Sequence, residues 1–236
     1  LYNYPPSLLG SGGTCPSHNL VCAFEKKDGS ANDMQSDTRF ENMDPRFDVT
    51  IVRDGSILGA RGAIDISDPN SQDAIGKVNL RSTVTGYYLR KFLDTNINLS
   101  AQTITSTYHY FPVIRLADIY LLYAEAMNEA YGPNDAADLG WTALEALNKV
   151  RTRAGITVPY TTTSQTEMTK KIRNERRVEL AFEDQRYFDL RRWKDAKDEE
   201  SLPMYGCNVF MTKGERDLFY KPVPVSDVLT CFAEKT

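Results

Sequence analysis

The pattern of hydrophobic and polar positions changes once along this chain, near residue 112. Before that point apolar runs are short, as at 49–52 and 87–93, and sit among Gly, Pro, Asn, Asp and Ser. Such punctuation predicts long loops with a few short strands or helical turns over residues 1–111. Loops of that extent in an ordered protein are commonly kept to bind something, with disorder as the competing explanation. Beyond that point Leu116, Ile119, Tyr120, Tyr123, Ala124, Met127 and Tyr131 recur at the three, four and seven spacing of one helix face, and Gly132-Pro133 stops the run. A second helix is expected over about 140–154, with Trp141, Leu144, Leu147, Val150 and Ala154 on one side and Gly155 at its end. Joined by a short polar turn, the two predict an antiparallel hairpin, and Ala124, Ala126, Ala143 and Ala146 are small enough to let the helices approach closely. It is one helical-hairpin unit, with no second repeat in the chain to stack on.

A third helix is predicted over about 166–183, continuing irregularly to Trp193 through IRNERRVELAFEDQRYFDLRRW (172–193). At helical spacing Lys171 faces Glu175, Arg176 faces Glu179 and Glu183 faces Arg186. Leu180, Ala181, Phe182, Tyr187, Phe188, Leu190 and Trp193 put apolar surface on more than one side, so some of this charge is expected inside, in pairs. The six arginines from Arg173 to Arg192 could read as a phosphate-binding strip, but Glu175, Glu179, Glu183, Asp184 and Asp189 nearly cancel their field. Trp141 and Trp193 are expected in the core, and Tyr87, Tyr88 and Phe92 are expected to pack loops onto the helices. The tail at 219–236 carries Pro222 and Pro224 and predicts an extended strand or loop. The fold class is thus mainly α, in one domain of 236 residues: a loop-rich face over 1–111, then a helical scaffold with a C-terminal tail over 112–236.

Composition narrows the function. With 28 basic and 32 acidic residues the net charge is −4, which makes no case for polyanions or an anionic membrane surface. No apolar run approaches the roughly 20 residues that cross a bilayer. The start, LYNYPPSLLGSGG, lacks the basic and apolar regions of a secretion signal, so a signal or lipid anchor is expected to lie outside this chain. Cys15, Cys22, Cys207 and Cys231 form no C-x-x-C and have only His18 and His109 beside them, which gives no zinc pattern. Bridges between Cys15 and Cys22 and between Cys207 and Cys231 stand as open as free thiols. Asp65, Asp68, Asn70 and Asp73 offer oxygens, without the spacing and closing Glu of a calcium loop. No metal and no cofactor is expected. Catalytic residues are not expected either: there is no G-x-S-x-G, and the carboxylates of the third helix already have arginine partners.

The ordered blocks PSHNLVCAFEKKDG (16–29), MDPRFDVTIV (43–52), GYYLRKFLD (86–94), PVIRLADIYLLYAEAMNEA (112–130), ALNKVRTRAGI (146–156), IRNERRVELAFEDQRYFDLRRW (172–193) and KPVPVSD (221–227) resemble the SusD/RagB family of outer-membrane nutrient-binding lipoproteins from Bacteroidetes. The resemblance is to the C-terminal part of that family, whose members begin with a secretion signal, a lipidated cysteine and several tetratricopeptide-like helix pairs. It implies a tetratricopeptide-type hairpin scaffold with long loops as ligand face, and a piece of a longer protein. It also implies non-catalytic capture of oligosaccharides on the extracellular face of the outer membrane, and delivery to a SusC-like TonB-dependent transporter. A peptide-binding member of the family and a tetratricopeptide-type interaction scaffold are the alternatives. Two positions depart from the family pattern: Cys22 stands where an Asp is usual, and Ser11, in the Gly-rich loop at 10–13, stands where many relatives place Trp.

Sugar recognition needs flat aromatic faces for the C–H side of a pyranose, with amides and charged groups for its hydroxyls. Tyr2 and Tyr4, in a Pro/Gly loop without helical period, are the candidate ligand-binding aromatics, with Asn3, Asn19 and Asn32 as polar companions.

Overall fold

The computed structural model describes residues 2–34, 36, 38–59, 62–75, 79–96, 108, 110–211 and 218–224. Two compact units share the chain: a loop-rich one (Leu1–Val21, Asp48–Tyr110 and Glu200–Thr236) and a helical one (Cys22–Phe47 and Phe111–Glu199). The helices are α1 (His18–Val21), α2 (Phe47–Thr50), α3 (Leu116–Tyr131), α4 (Ala143–Ala154), α5 (Gln165–Glu179), α6 (Gln185–Arg192) and α7 (Ala196–Glu200). Two antiparallel pairs complete the order: β1 (Ile51–Val52) with β2 (Tyr88–Leu89), and β3 (Tyr205–Met211) with β4 (Leu218–Pro224).

In the helical unit, α3 and α4 form the expected hairpin and α5 packs against it. The buried stripe of α3 is Ala117, Leu121, Ala124 and Met127, meeting Ala143, Ala146, Leu147 and Val150 of α4 and Met168 and Ile172 of α5. This corrects the predicted face. Small residues allow the helices to close, so Ala117 and Ala124 turn inward, while Leu116, Ile119 and Tyr131 are exposed. Polar groups on that face tie α3 to its neighbours: Asn128 Nδ2 donates to Thr169 Oγ1 at 2.9 Å, and Asp118 accepts from Arg176 at 2.8 Å.

Helix α4 starts later than predicted because Thr142 caps it. Glu145 N–H donates to Thr142 Oγ1 at 3.0 Å and Thr142 N–H to Glu145 Oε2 at 2.8 Å, a reciprocal capping box. Trp141 therefore precedes the helix, and it is 39% exposed rather than core. The third helix breaks at 180–184, where Phe182 and Asp184 adopt φ of 63° and 61°. The break redirects the chain, and Tyr187 and Phe188 on α6 are exposed instead of packed. Trp193 is half-buried: its indole N–H donates to Glu125 at 2.7 Å, with the guanidiniums of Arg173 and Arg192 at 4.7 and 4.9 Å from the ring centre.

The charge of α5 is buried and paired, as expected, but its bonds run to other segments rather than along the helix. Glu179 accepts from Arg46 at 2.8 Å and from Arg115 and Arg153. Glu175 accepts from Arg46 and, at 3.0 Å, from Arg151. Glu183 accepts twice from Arg115, Arg176 donates to Asp118 and Asp189, and Lys171 donates to Glu25. Neighbours three or four residues apart meet at the helix surface. A carboxylate pointing inward needs donors from the elements packed over it, and Arg46, Arg115 and Arg151 supply them.

In the loop-rich unit, Val52, Leu58, Ile64, Ile66, Tyr88 and Val209 form a small core. Tyr87 and Tyr88 are fully buried and Phe92 is half-buried. The tail strand β4 pairs from Leu218↔Met211 to Pro224↔Tyr205. Its partner β3 was not predicted, although YGCNVFM is rich in strand formers. Gly86 lets β3 approach: at φ +80° it lies so close to the Cys207 carbonyl that a Cβ would overlap it, while Cys207 N–H donates to Thr85 O at 2.7 Å. Cys15, Cys22 and Cys207 are free thiols, so no Cys15–Cys22 bridge forms; Cys231, like His109, lies outside the described residues. Among the described residues no helix is long and apolar enough to cross a membrane.

Candidate functional site

The loop at 2–13 folds back on itself around a 3-10 turn at Pro6–Leu8. Gly12 N–H donates to Tyr4 O at 3.0 Å, Gly13 N–H to Tyr2 O at 2.9 Å and Gly10 N–H to Pro5 O at 3.1 Å. Glycines are needed where the two arms touch. A Cβ at Gly10 would strike the Tyr4 backbone, and one at Gly13 would strike the Tyr2 ring. Ser7 N–H anchors the turn on the buried carboxylate of Asp73 at 2.9 Å. Tyr88 OH donates to Asp73 O at 2.9 Å and accepts from Thr83 N–H at 2.9 Å. Burial, with only this backbone bond against it, raises the Tyr88 pKa and keeps the phenol neutral.

This fold separates the two candidate tyrosines. Tyr4 is buried, and its hydroxyl donates to Asp94 O at 2.7 Å. Tyr2 is 69% exposed, with its ring seated on Gly13. A ring lying against glycine and largely open to solvent offers a flat apolar platform. Asn3, beside it in sequence, is half-buried, and its Oδ1 has no hydrogen-bond partner among the described residues.

The other two amides are placed differently. Asn19 spends both ends of its side chain on the approach to β3: Nδ2 donates to Pro203 O at 3.2 Å, and Oδ1 accepts from Tyr205 N–H at 2.7 Å. Asn32 belongs to the helical unit, where Nδ2 donates to Met34 Sδ at 2.9 Å and Oδ1 has no partner among the described residues. Sequence reasoning passed over Gly13, whose signal was the GSGG run, and Asp94, which carries none because it acts through its backbone carbonyl.

The acidic loop is occupied with its own backbone. Asp65 accepts from Ser67 Oγ and Asp68 N–H, and Asp68 from Asn70 N–H. Among the described residues no group of three or more His, Cys, Asp or Glu is placed to hold a metal ion. His18 is buried against Tyr87 OH at 3.0 Å, and burial lowers its pKa.

Residues 2–224 match the SusD family model. The chain belongs to the SusD family. Among solved structures it is similar to a SusD-like protein from Bacteroides fragilis, at 27% identity and a TM-score of 0.74, over 95% of this chain and 44% of that one. A SusD-like carbohydrate-binding protein from the same species matches at 26% identity and a TM-score of 0.71, over 87% of this chain and 40% of that one. A SusD superfamily protein from Bacteroides vulgatus shares the fold at 20% identity and a TM-score of 0.59, over 84% and 37%. The chain thus spans less than half the length of these SusD relatives. No curated protein matches it.

Proposed function

We propose that this SusD-family chain takes part in non-catalytic capture of oligosaccharides at the extracellular face of the outer membrane, for delivery to a SusC-like TonB-dependent transporter. The observation that carries the reading is the exposed Tyr2 ring on Gly13, in a chain whose family match covers 2–224. Stacking supplies affinity through the C–H face of a sugar ring. The unpartnered Oδ1 of Asn3 gives a hydroxyl its acceptor after a small movement of the side chain. Tyr4 supports the loop from beneath through Asp94, and Asn19 holds the approach to β3. Asn32 is the remaining candidate contact, in the helical unit.

The test is calorimetric titration with plant, host and microbial oligosaccharides and mixed peptides, with mass spectrometry of the same solutions. Saturable binding of intact sugar is expected, weakened about tenfold by Tyr2→Ala, which is the upper range of one stacking contact. Sugar binding indifferent to Tyr2→Ala would move the site elsewhere. Cleaved sugar would make the protein an enzyme, and peptide binding alone would replace the substrate class.

A further inference from the structure

Two loops of the loop-rich unit meet at Gly12 and Gly13. The turn at 79–82 is set by its own bonds: Ser82 N–H donates to Asn79 O at 3.0 Å and Arg81 N–H to Asn79 Oδ1 at 2.9 Å. Tyr88 OH, accepting from Thr83 N–H, holds the end of that turn. The Arg81 carbonyl then lies so close to Gly12 that a Cβ there would come within 2.7 Å of it. The next residue, Gly13, is the one against which the Tyr2 ring lies. Successive Cα atoms are about 3.8 Å apart, so Arg81 and the ring are separated by no more than one arginine side chain and one sugar ring can span.

Arg81 is exposed, and among the described residues its guanidinium has no hydrogen-bond or carboxylate partner. Carboxylates of the surrounding loops are committed elsewhere: Asp73 accepts from Ser7 N–H, Asp94 from Asn96 N–H and Asp65 from Asp68 N–H. Stacking grips the C–H face of neutral and acidic sugars alike, so Tyr2 cannot choose between them. An unneutralised guanidinium can, because a carboxylate meets it through two parallel charge-assisted bonds and a hydroxyl offers only a neutral acceptor. We propose that Arg81 makes the Tyr2 site selective for acidic oligosaccharides, in which a uronic acid stacks on Tyr2 and its carboxylate meets the Arg81 guanidinium. This assignment deepens the capture reading above and rests on it.

The test is calorimetric titration of the 236-residue chain, at low ionic strength, with galacturonate and mannuronate trimers and with their methyl esters, which keep the rings and lose the charge. One of the acids is expected to bind about three- to fivefold more tightly than its ester, the upper range of one exposed ion pair. Arg81→Met should erase that preference and leave the ester's affinity unchanged, and Tyr2→Ala should weaken acid and ester together. Equal affinities, or a preference that survives Arg81→Met, overturn the proposal. A sulfated neutral trisaccharide that binds more tightly than either uronide would give the guanidinium to a sulfate and overturn it too. Neutral oligosaccharides that bind through Tyr2, with no binding of either acid, overturn the proposal and leave the capture reading standing. If no sugar binds, or none depends on Tyr2, that reading falls and this one with it.

Discussion

The helical and loop-rich units satisfy their buried polar groups in opposite ways. In the helical unit the buried polar side chains are mostly charged and bond to one another: Glu175, Glu179 and Glu183 with Arg46, Arg115 and Arg151, and Arg176 with Asp118 and Asp189. In the loop-rich unit they bond to backbone. Asp54 accepts from the N–H groups of Ile66 and Ser67, Asp73 from Ser7 N–H, and Thr83 Oγ1 donates to Tyr87 O. The cause is backbone supply. A helix satisfies its own interior N–H and C=O groups, so its side chains are free to cross-link segments. An irregular chain leaves backbone groups orphaned, and side chains are consumed in answering them.

The largest effect is expected where cross-linking is densest. Glu179→Ala removes a buried carboxylate that the half-buried Arg46 and Arg115 share and should destabilise the helical unit by about 3–5 kcal/mol. Urea unfolding followed by tryptophan fluorescence reads this unit selectively, because Trp141 and Trp193 are the only tryptophans and both belong to it. A loss under about 1 kcal/mol, the level of a surface pair, would break the comparison. The same residue predicts a pH signature. Burial alone would raise its pKa, but the charge of Arg46 and hydrogen bonds from Arg115 and Arg46 outweigh it and hold Glu179 at about 2, below the ordinary value of 4.5. The unfolded chain therefore binds the proton first, so this stabilisation is complete above pH 4.5 and declines as pH falls through about 2. In Glu179→Gln that part of the acid-side slope should vanish.

A middle-sized effect tests the loop-rich unit. Tyr88→Phe removes a hydroxyl that answers both Thr83 N–H and Asp73 O and leaves both buried groups unpaired, at a cost of about 1–3 kcal/mol. Amide hydrogen exchange at 83–89 should accelerate, since this unit contains no tryptophan to report on it. Unchanged exchange would show that the backbone there does not depend on its side chains.

The same contrast explains what could be read from residues alone. Periodicity located α3, α4 and α5, because a helix repeats its burial every turn. It also implied buried charge in α5. It could not name the partners, because Arg46 and Arg115 lie 133 and 64 positions from Glu179. The break at Phe182 and Asp184 was hidden, since neither residue announces a positive φ as glycine does. In the candidate site Tyr2 and Tyr4 looked equivalent. One lies exposed on Gly13 and the other is buried beneath Asp94, and that difference arises only when the loop closes on itself.

The smallest expected effect lies where a helix behaves like a loop. At the start of α4 the first N–H groups have no partners within the helix, so Thr142 and Glu145 must answer backbone as Asp54 and Asp73 do. Thr142→Ala should then cost about 1 kcal/mol, as other cap losses do, and Thr142→Asp should restore it. If side-chain service to backbone is confined to helix ends in this unit, the loss stays below that of Tyr88→Phe and far below that of Glu179→Ala, in unfolding followed by tryptophan fluorescence. A Thr142→Ala loss as large as that of Glu179→Ala would mean that the hairpin depends on its caps rather than on the charged lattice behind it.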